Sequence, residues 1–200
     1  MPDLGAILLA AGGSTRMGRP KQLLSIAGKT LVRRTAETAL DAGCDPVAIV
    51  LGSSADLVAQ ELRGLNVHTT INPQWSLGIG SSIRTGAQTL LNLGLPLRAI
   101  ALMLCDQPLI SAASLQRLFQ SHFHSGKEVA VSSYHQTIGP PIVLAPALLP
   151  DLLSLPDAQG AKALWMSRPE IVSEVPCPQA ATDLDTPEDF EALAERLGSH

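Results

Sequence analysis

The fold is decided by residues 4–21, which read LGAILLAAGGSTRMGRPK. An apolar run of strand length leads into a loop with three glycines, and two cationic side chains, Arg16 and Lys21, belong to the same loop. A loop of this composition lets backbone N–H groups surround a phosphate chain without obstruction by side chains. We therefore expect a strand followed by an anion-binding loop. The alternative is a tight turn whose glycines serve packing alone.

This loop matches neither of the two commonest nucleotide-binding motifs. Gly13 and Gly18 have the spacing of a Walker A motif, but Arg19 and Pro20 stand where Lys and Ser or Thr are required. The pattern G-x-G-x-x-G is also absent, and no acidic residue follows at the ribose-binding position of a dinucleotide site. Both classes are therefore excluded for this loop.

The rest of the chain alternates between two kinds of segment. Apolar runs of strand length lie at residues 6–10, 47–51, 67–71, 99–104, 129–132, 142–144 and 171–175. Segments with helical spacing of apolar residues lie at 30–42, 55–63, 78–93, 111–122, 146–153, 160–167 and 187–196. Several of the strands are apolar throughout, which is typical of central strands covered on both faces. The alternation predicts one α/β domain over residues 1–200, with a mostly parallel sheet and helices on both faces.

The composition excludes several classes of protein. Hydrophobic residues make up 46% of the 200 residues, which is sufficient for a core and excludes intrinsic disorder. The net charge is -4 and only 3% of the residues are aromatic, which argues against nucleic-acid binding. No apolar run approaches the roughly 20 residues of a membrane-spanning helix, and the first residues lack the basic region of a signal peptide. We therefore expect a cytoplasmic protein without membrane contact.

The cysteines and histidines show no ligand spacing. Cys44, Cys105 and Cys177 are far apart and odd in number, so neither a disulfide framework nor a structural zinc site is expected. Cys105 is interpreted as a small hydrophobic residue of a strand rather than as a nucleophile.

Carboxylates follow the apolar runs at two places. Asp106 ends the run 99–105, where a hard cation and a triphosphate would meet at the mouth of a buried strand. The alternative is that Asp106 caps the next helix, but Ser111 is the better N-cap. Asp183 and Asp185 offer a second carboxylate, and both side chains share a face only if that segment is extended.

The residues after Asp185 have the signature of a helix start. Thr186 is the candidate N-cap, Pro187 takes the first helical position, and Asp189 completes the spacing of a capping box. Glu188 and Asp189 are therefore interpreted as structural residues.

Four motifs, taken in order, resemble a single family. They are LAAGGSTRMG at the start of 9–24, NPQWSLGIGSS at 72–82, CDQP at 105–108, and DLDTPED at 183–189. Together they resemble the MobA-like nucleotidyltransferases over nearly the whole chain. Ala11 makes the chain most similar to the molybdenum cofactor cytidylyltransferases, because the guanylyl-transferring relatives usually have glycine at this position. The resemblance implies a Rossmann-like, doubly wound fold of the nucleotide-diphospho-sugar transferase type.

The resemblance also implies an activity, which is the Mg²⁺-dependent transfer of CMP from CTP to the phosphate of molybdopterin, with pyrophosphate leaving. Mg²⁺ would be held by Asp106 and Asp185, with Asp183 a lesser candidate. Arg16 and Lys21 would act with Asp106 as catalytic residues by stabilising charge on the leaving pyrophosphate. The residues expected to bind the nucleotide are Leu9, Ala10, Ala11, Gly12, Gly13, Arg16, Lys21, Asn72, Gly78, Ser81 and Ser82.

The half of the chain that would receive the acceptor departs from the family pattern. Residues 139–141 read GPP where relatives often have GHP, and residues 158–162 read AQGAK where a GDxGAR pattern is common. The alternatives are therefore a guanylyltransferase or a sugar- or alcohol-phosphate nucleotidyltransferase of the same fold. A non-catalytic carrier, which would hand the molybdenum cofactor to a molybdoenzyme or its chaperone, is a further alternative from a different class.

Overall fold

A seven-stranded sheet organises the chain in the computed structural model, which describes residues 3–14, 17–184 and 186–198. The strands of this sheet are β1 (Leu4–Ala10), β4 (Val47–Leu51), β5 (His68–Ile71), β6 (Ala99–Leu104), β7 (Val129–Tyr134), β8 (Thr137–Leu144) and β9 (Val172–Pro176). Two short strands, β2 (Ser25–Ile26) and β3 (Lys29–Thr30), form a separate antiparallel pair.

Six α-helices are found in these described residues. They are α1 (Leu31–Asp41), α2 (Ala55–Glu61), α3 (Ile79–Leu93), α4 (Ala112–Ser125), α5 (Leu149–Leu153) and α6 (Pro187–Gly198). Short 3₁₀ turns connect several of them, including Lys21–Leu23, Trp75–Leu77 and Ala161–Leu164. Within the described ranges, no helix has both the length and the apolar character needed to cross a membrane.

The strand order is β5-β4-β1-β6-β8-β7-β9. β1 pairs in parallel with both β4 and β6, whereas β8 runs antiparallel to both of its neighbours. The mostly parallel sheet expected from the sequence is therefore confirmed, and each of the seven predicted strands is present. Because β1 and β6 are parallel neighbours, the loops that follow them lie at the same edge of the sheet. Ligands of such sheets bind at this edge, beyond the carboxyl ends of the strands.

β1 shows why a continuous apolar run forms a central strand. Its side chains alternate between two hydrophobic cores, and neither face of the strand is exposed to solvent. Leu8 packs in the core shared with α1, α2 and α4, while Ile7 packs in the core shared with α3 and α5. Both side chains are fully buried, and each contributes about 1.5–3 kcal/mol from the transfer of its apolar surface out of water.

Two helix starts have the caps that the sequence predicts. The Ser111 hydroxyl accepts a hydrogen bond from the Ser114 amide at 3.2 Å, so Ser111 and not Asp106 caps α4. At α6, the Thr186 amide donates to the Asp189 carboxylate at 2.8 Å, and the Asp189 amide donates to the Thr186 hydroxyl at 3.2 Å. This reciprocal pair is a capping box, which confirms the structural interpretation of Asp189.

Two local predictions differ from the structure. β7 and β8 extend beyond 129–132 and 142–144 to form a hairpin, whose turn residues His135 and Gln136 both have positive φ. Asn and Gly usually mark such turns, so these two residues gave no signal. The helix predicted over 160–167 is wrong, because only the 3₁₀ turn Ala161–Leu164 forms. A continuing α-helix would pair the Leu164 carbonyl oxygen with the Arg168 amide, but here that oxygen accepts from the Arg168 guanidinium at 3.0 Å and the Arg168 amide donates to the Trp165 carbonyl oxygen.

Candidate functional site

A cleft of about 330 Å³ lies at the carboxyl ends of β1 and β6. The glycine-rich loop after β1 forms one wall, the first turn of α3 forms another, and the residues that end β6 form the floor. The lining residues are Leu9, Ala11, Gly12, Gly13, Lys21, Gln22, Trp75, Ser76, Gly78, Ile79, Ser82, Leu104, Cys105 and Asp106.

Gln22 fixes the shape of the glycine-rich loop. Its side chain is only 1% exposed, and its amide nitrogen donates to the carbonyl oxygens of Ala10 at 3.1 Å and Gly12 at 2.7 Å. The Ser14 hydroxyl closes the other end of the loop by accepting a hydrogen bond from the Lys21 amide at 2.9 Å. A buried polar side chain is stabilised only when it is hydrogen-bonded, so these contacts tie the loop to the residues that follow it.

Glycine is required at one position of the loop by a close approach. A Cβ atom at Gly13 would lie 2.8 Å from the ring of Trp75, closer than real Cβ contacts allow. A Cβ atom at Gly12 would meet no atom within 4 Å among the described residues. Trp75 therefore supports the loop from the side of α3, and Gly13 is the position at which the two segments touch.

Lys21 and Asp106 meet across the floor of the cleft. The Lys21 Nζ lies 2.5 Å from Asp106 Oδ2, and the two side chains are only 18% and 15% exposed. The other carboxylate oxygen, Asp106 Oδ1, is buried and has no hydrogen-bond partner among the described residues. A buried carboxylate oxygen without a donor is costly, and a hard cation such as Mg²⁺ takes such an oxygen as a ligand.

The segment that carries the second predicted carboxylate lies beside Asp106. The Leu184 amide donates to the Asp106 carbonyl oxygen at 3.0 Å, so residue 184 is fixed at the end of β6. Asp183 is exposed, while Asp185 lies outside the described residues, as does Arg16 of the glycine-rich loop. Within residues 3–14, 17–184 and 186–198, no three His, Cys, Asp or Glu side chains group as a metal site.

Tyr134 lies close to the carboxylates of Asp183 and Asp106. Burial raises the pKa of its phenol, and the negative charge of Asp183 raises it further. The hydroxyl therefore stays protonated at neutral pH and can donate a hydrogen bond. A Cβ atom at Gly139 would lie 2.6 Å from this hydroxyl, so the phenol packs against the backbone of β8.

The segment 72–82 supplies residues that line the cleft and buried residues that support them. Ser82 and Gly78 line the cleft, whereas Asn72 and Ser81 lie behind it. The Asn72 side-chain amide is 2% exposed and donates to the hydroxyls of Ser81 at 2.8 Å and Ser82 at 3.1 Å. The buried Asn72 side chain therefore orients the hydroxyl of Ser82, which lines the cleft.

The residues predicted to bind the nucleotide lie at different depths. Seven of them line the cleft: Leu9, Ala11, Gly12, Gly13, Lys21, Gly78 and Ser82. Ala10 is buried in β1 and reaches the loop through its carbonyl oxygen. The sequence reasoning missed Gln22 and Trp75, although both stand inside the quoted motifs. A polar side chain directly after Lys21 was the only signal for Gln22.

Cys105 lines the floor but is poorly suited to nucleophilic chemistry. It is 3% exposed, and burial together with the charge of Asp106 raises the pKa of its thiol to about 12. The thiol is therefore protonated at neutral pH, which agrees with its interpretation as a packing residue.

A second, apolar pocket of about 230 Å³ adjoins the cleft and shares Leu9, Ile79 and Leu104 with it. Its other lining residues are Ile83, Leu102, Ile138, Gly139, Pro140, Ile142, Gly160, Ala161, Lys162 and Trp165. The indole nitrogen of Trp165 is buried and has no acceptor among the described residues. The two segments that depart from the family pattern, 139–141 and 158–162, therefore both contribute to this pocket.

Comparison with known proteins identifies the family. The model of the MobA-like NTP transferase domain matches residues 6–171. The chain is 33% identical over 207 residues to nicotine blue oxidoreductase of Paenarthrobacter nicotinovorans, which covers 96% of this chain and 97% of that protein. It is also 29% identical over 208 residues to the purine catabolism protein PucB of Bacillus subtilis strain 168, which covers 98% of each.

A solved structure agrees with these sequence relatives. The crystal structure of Rv0371c from Mycobacterium tuberculosis H37Rv superimposes with a TM-score of 0.79 at 29% identity, covering 98% of this chain and 99% of that one. A complex of the same protein with manganese has a TM-score of 0.75 at 28% identity, covering 96% and 98%. Because the family model spans well over half of the residues, this chain belongs to the MobA-like NTP transferase family.

Proposed function

We propose that the protein is a Mg²⁺-dependent cytidylyltransferase that transfers CMP from CTP to the phosphate of molybdopterin and releases pyrophosphate. The observation that carries the proposal is the Lys21–Asp106 pair, which joins a glycine-rich loop to a carboxylate with one unpartnered oxygen at the floor of the cleft. A binding protein without catalysis would not need this cation–carboxylate pair at the point where a triphosphate enters.

The reaction needs little acid–base chemistry from the protein. A phosphate monoester has a second pKa near 6, so the attacking phosphate is already largely deprotonated at neutral pH. The protein must place this phosphate in line with the α-phosphate of CTP and neutralise the charge that develops on the leaving pyrophosphate. In this proposal Lys21 and Arg16 supply the positive charge, and the glycine-rich loop binds the phosphate chain.

Asp106 and Asp185 would hold the divalent cation. The unpartnered Oδ1 of Asp106 fits this role, since Mg²⁺ prefers oxygen ligands and takes one or two carboxylates together with substrate phosphates. When bound, the cation would supply electrophilic stabilisation of the α-phosphate. The manganese complex of Rv0371c supports a divalent cation in this family, with Mg²⁺ as our proposal for this chain.

The apolar pocket would receive the ring system of the acceptor. It shares a wall with the cleft, so an acceptor bound there could direct its phosphate toward the α-phosphate of CTP. The lining of this pocket includes Lys162 and Trp165, whose indole N–H has no acceptor among the described residues. Our choice of molybdopterin over a sugar phosphate as the acceptor rests on the resemblance of the four motifs to the molybdenum cofactor cytidylyltransferases.

A panel of nucleotides tests the proposed function. We expect pyrophosphate release from CTP in the presence of molybdopterin and Mg²⁺, and much slower release with GTP, ATP or UTP. Pyrophosphate release with GTP and molybdopterin, but not with CTP, would identify a guanylyltransferase. Release only when a sugar phosphate replaces molybdopterin would identify a sugar-phosphate nucleotidyltransferase. Tight binding of molybdopterin without any release would indicate the non-catalytic carrier.

Replacement of Lys21 by Ala should lower kcat more than it weakens CTP binding. The ammonium group would act chiefly on the charge that develops in the transition state, so its loss should reduce kcat by about 100-fold, or roughly 3 kcal/mol. Steady-state kinetics and calorimetric titration with CTP measure the two effects. An unchanged kcat with a raised KM for CTP would show that Lys21 only binds the ground state.

CTP should be preferred over GTP, and Ala11 is our proposed cause. Ala11 lines the cleft and is 4% exposed. In this proposal its methyl group narrows the space beside the base, at the position where guanylyl-transferring relatives usually have glycine. Pocket size alone discriminates by roughly 1–3 kcal/mol, so Ala11→Gly should relax the preference by about 10- to 100-fold. Competition between CTP and GTP measures this preference as a ratio of the two kcat/KM values. Comparable kcat/KM values for CTP and GTP in the unmutated protein would refute the preference.

The structure also offers a packing role for Ala11. A Cβ atom at Gly52 would lie 2.8 Å from the Ala11 methyl group, so this methyl group packs close to the loop after β4. If Ala11→Gly leaves the selectivity unchanged, the packing role is sufficient, and the preference for CTP must then come from the segment 72–82.

A further inference from the structure

Two segments of the chain meet beside the residues that line both the cleft and the apolar pocket, which are Leu9, Ile79 and Leu104. The first turn of α3 supplies Ile79, which lines both spaces. The second segment is the loop of residues 155–160, which ends at Gly160 on the lining of the apolar pocket. The position of this loop against α3 therefore sets where Gly160, and with it one side of the apolar pocket, lies relative to Ile79.

The loop is pressed directly against the start of α3. The Gly80 amide donates to the Asp157 carbonyl oxygen at 2.8 Å. A Cβ atom at Gly80 would overlap with the Pro156 carbonyl oxygen, and a Cβ atom at Gly78 would overlap with that of Asp157. Glycine is thus required at both positions by the approach of the loop, independently of any ligand.

Arg84 holds this contact in place. One guanidinium nitrogen donates to the Leu155 carbonyl oxygen at 2.5 Å, and a second donates to the Asp157 carboxylate. Arg84 thus binds two points of the loop with one rigid group, which fixes direction as well as distance. The pair is partly exposed, with 28% and 42% of the side chains accessible, so its contribution to global stability is small.

We propose that Arg84 is a positioning residue, which holds the loop 155–160 against α3 and thereby sets the apolar pocket in register with the nucleotide cleft. The proposal rests on the proposed function in one respect, because the apolar pocket must receive the acceptor. Arg84 contacts neither the cleft nor the apolar pocket as a lining residue, so it acts only through the loop.

The kinetic signature of this role is a split between the two substrates. Arg84→Gln and Asp157→Asn should each raise the KM for molybdopterin at least tenfold and leave the calorimetric affinity for CTP within about twofold. Arg84→Lys should fall between these variants and the unmutated protein, because an ammonium group can bind one of the two loop oxygens but cannot match the planar fork.

The chain provides a matched control. Asp151 accepts from Arg168 at 3.2 Å in another partly exposed ion pair, with 41% and 45% of the side chains accessible, and neither residue lines the cleft or the apolar pocket. Asp151→Asn should leave both substrate constants unchanged. If the loss of any partly exposed ion pair destabilised the fold, the melting temperature would fall in Asp151→Asn as well as in the Arg84 variants.

Hydrogen exchange gives a readout that does not depend on turnover. The Gly80 amide, which donates to the loop, should exchange faster in Arg84→Gln than in the unmutated protein and should be unchanged in Asp151→Asn. Unchanged exchange at Gly80 in Arg84→Gln would overturn the proposal whatever the activity. Equal rises of the molybdopterin and CTP constants, or no rise in either, would also overturn it. Absence of pyrophosphate release from the unmutated protein would instead refute the proposed function, and the exchange measurement would still decide the role of Arg84.

Discussion

Asp106→Asn should abolish turnover while the protein stays folded. The substitution keeps the shape of the side chain but removes the charge that pairs with Lys21 at 2.5 Å and the carboxylate oxygen proposed to bind the cation. We expect kcat to fall by about a thousandfold or more, which corresponds to roughly 4 kcal/mol of transition-state stabilisation. Pyrophosphate release at saturating CTP measures the loss.

The control for this variant is Asp151→Asn, which removes a carboxylate charge from an ion pair outside the cleft. Its turnover should match that of the unmutated protein. The melting temperature of Asp106→Asn should stay within a few degrees of the unmutated value, because the Lys21–Asp106 pair lines the cleft and both side chains keep some contact with solvent. Near-normal pyrophosphate release from a folded Asp106→Asn protein would contradict the assignment of Asp106 to the reaction.

Gly13→Ala should damage both the loop and the activity. The new Cβ atom would lie 2.8 and 2.9 Å from two atoms of the Trp75 ring, so the loop or the indole must shift. Overpacking of this kind costs about 1–3 kcal/mol, and we expect a lower melting temperature together with at least a tenfold weaker affinity for CTP. Gly12→Ala is the matched control for stability, since its Cβ atom meets nothing within 4 Å in the described part of the chain.

The cause can be tested by a second substitution. Trp75→Leu removes the ring atoms that the new methyl group would meet, so the double variant Gly13→Ala with Trp75→Leu should regain part of the stability lost in Gly13→Ala. A double-mutant cycle of unfolding free energies isolates this coupling. If the double variant loses as much unfolding free energy as the two single variants lose together, the two substitutions are not coupled. The contact between Gly13 and Trp75 then does not restrict the loop.

The sequence predicted best those features that are determined by short, continuous stretches of chain. The apolar run 4–10, the glycines after it and Asp106 at the end of another run predicted a cleft at one edge of a parallel sheet. Local signals also located the caps at Ser111 and Thr186, since capping depends on residues three positions apart. These features are fixed by short stretches of chain, and the structure places Lys21 and Asp106 together across 85 positions.

The features that were missed depend on contacts between distant segments. Nothing in the sequence near Gln22 shows that its amide would bind the carbonyl oxygens of Ala10 and Gly12. The contact between Arg84 and the loop 155–160 joins residues more than 70 positions apart. Side-chain hydrogen bonds of this kind are set by the packed fold and leave no periodic trace in the sequence.

The central claim is the transfer of a nucleotidyl group, and the identity of the product tests it most directly. CTP, molybdopterin and Mg²⁺ should be incubated with the protein, and the products should be quantified by mass spectrometry and by a pyrophosphate assay. We predict one molecule of CMP-linked molybdopterin for every pyrophosphate released, and neither product in the Asp106→Asn protein. Molybdopterin recovered unmodified, with no pyrophosphate formed while CTP and the acceptor both bind, would contradict the account.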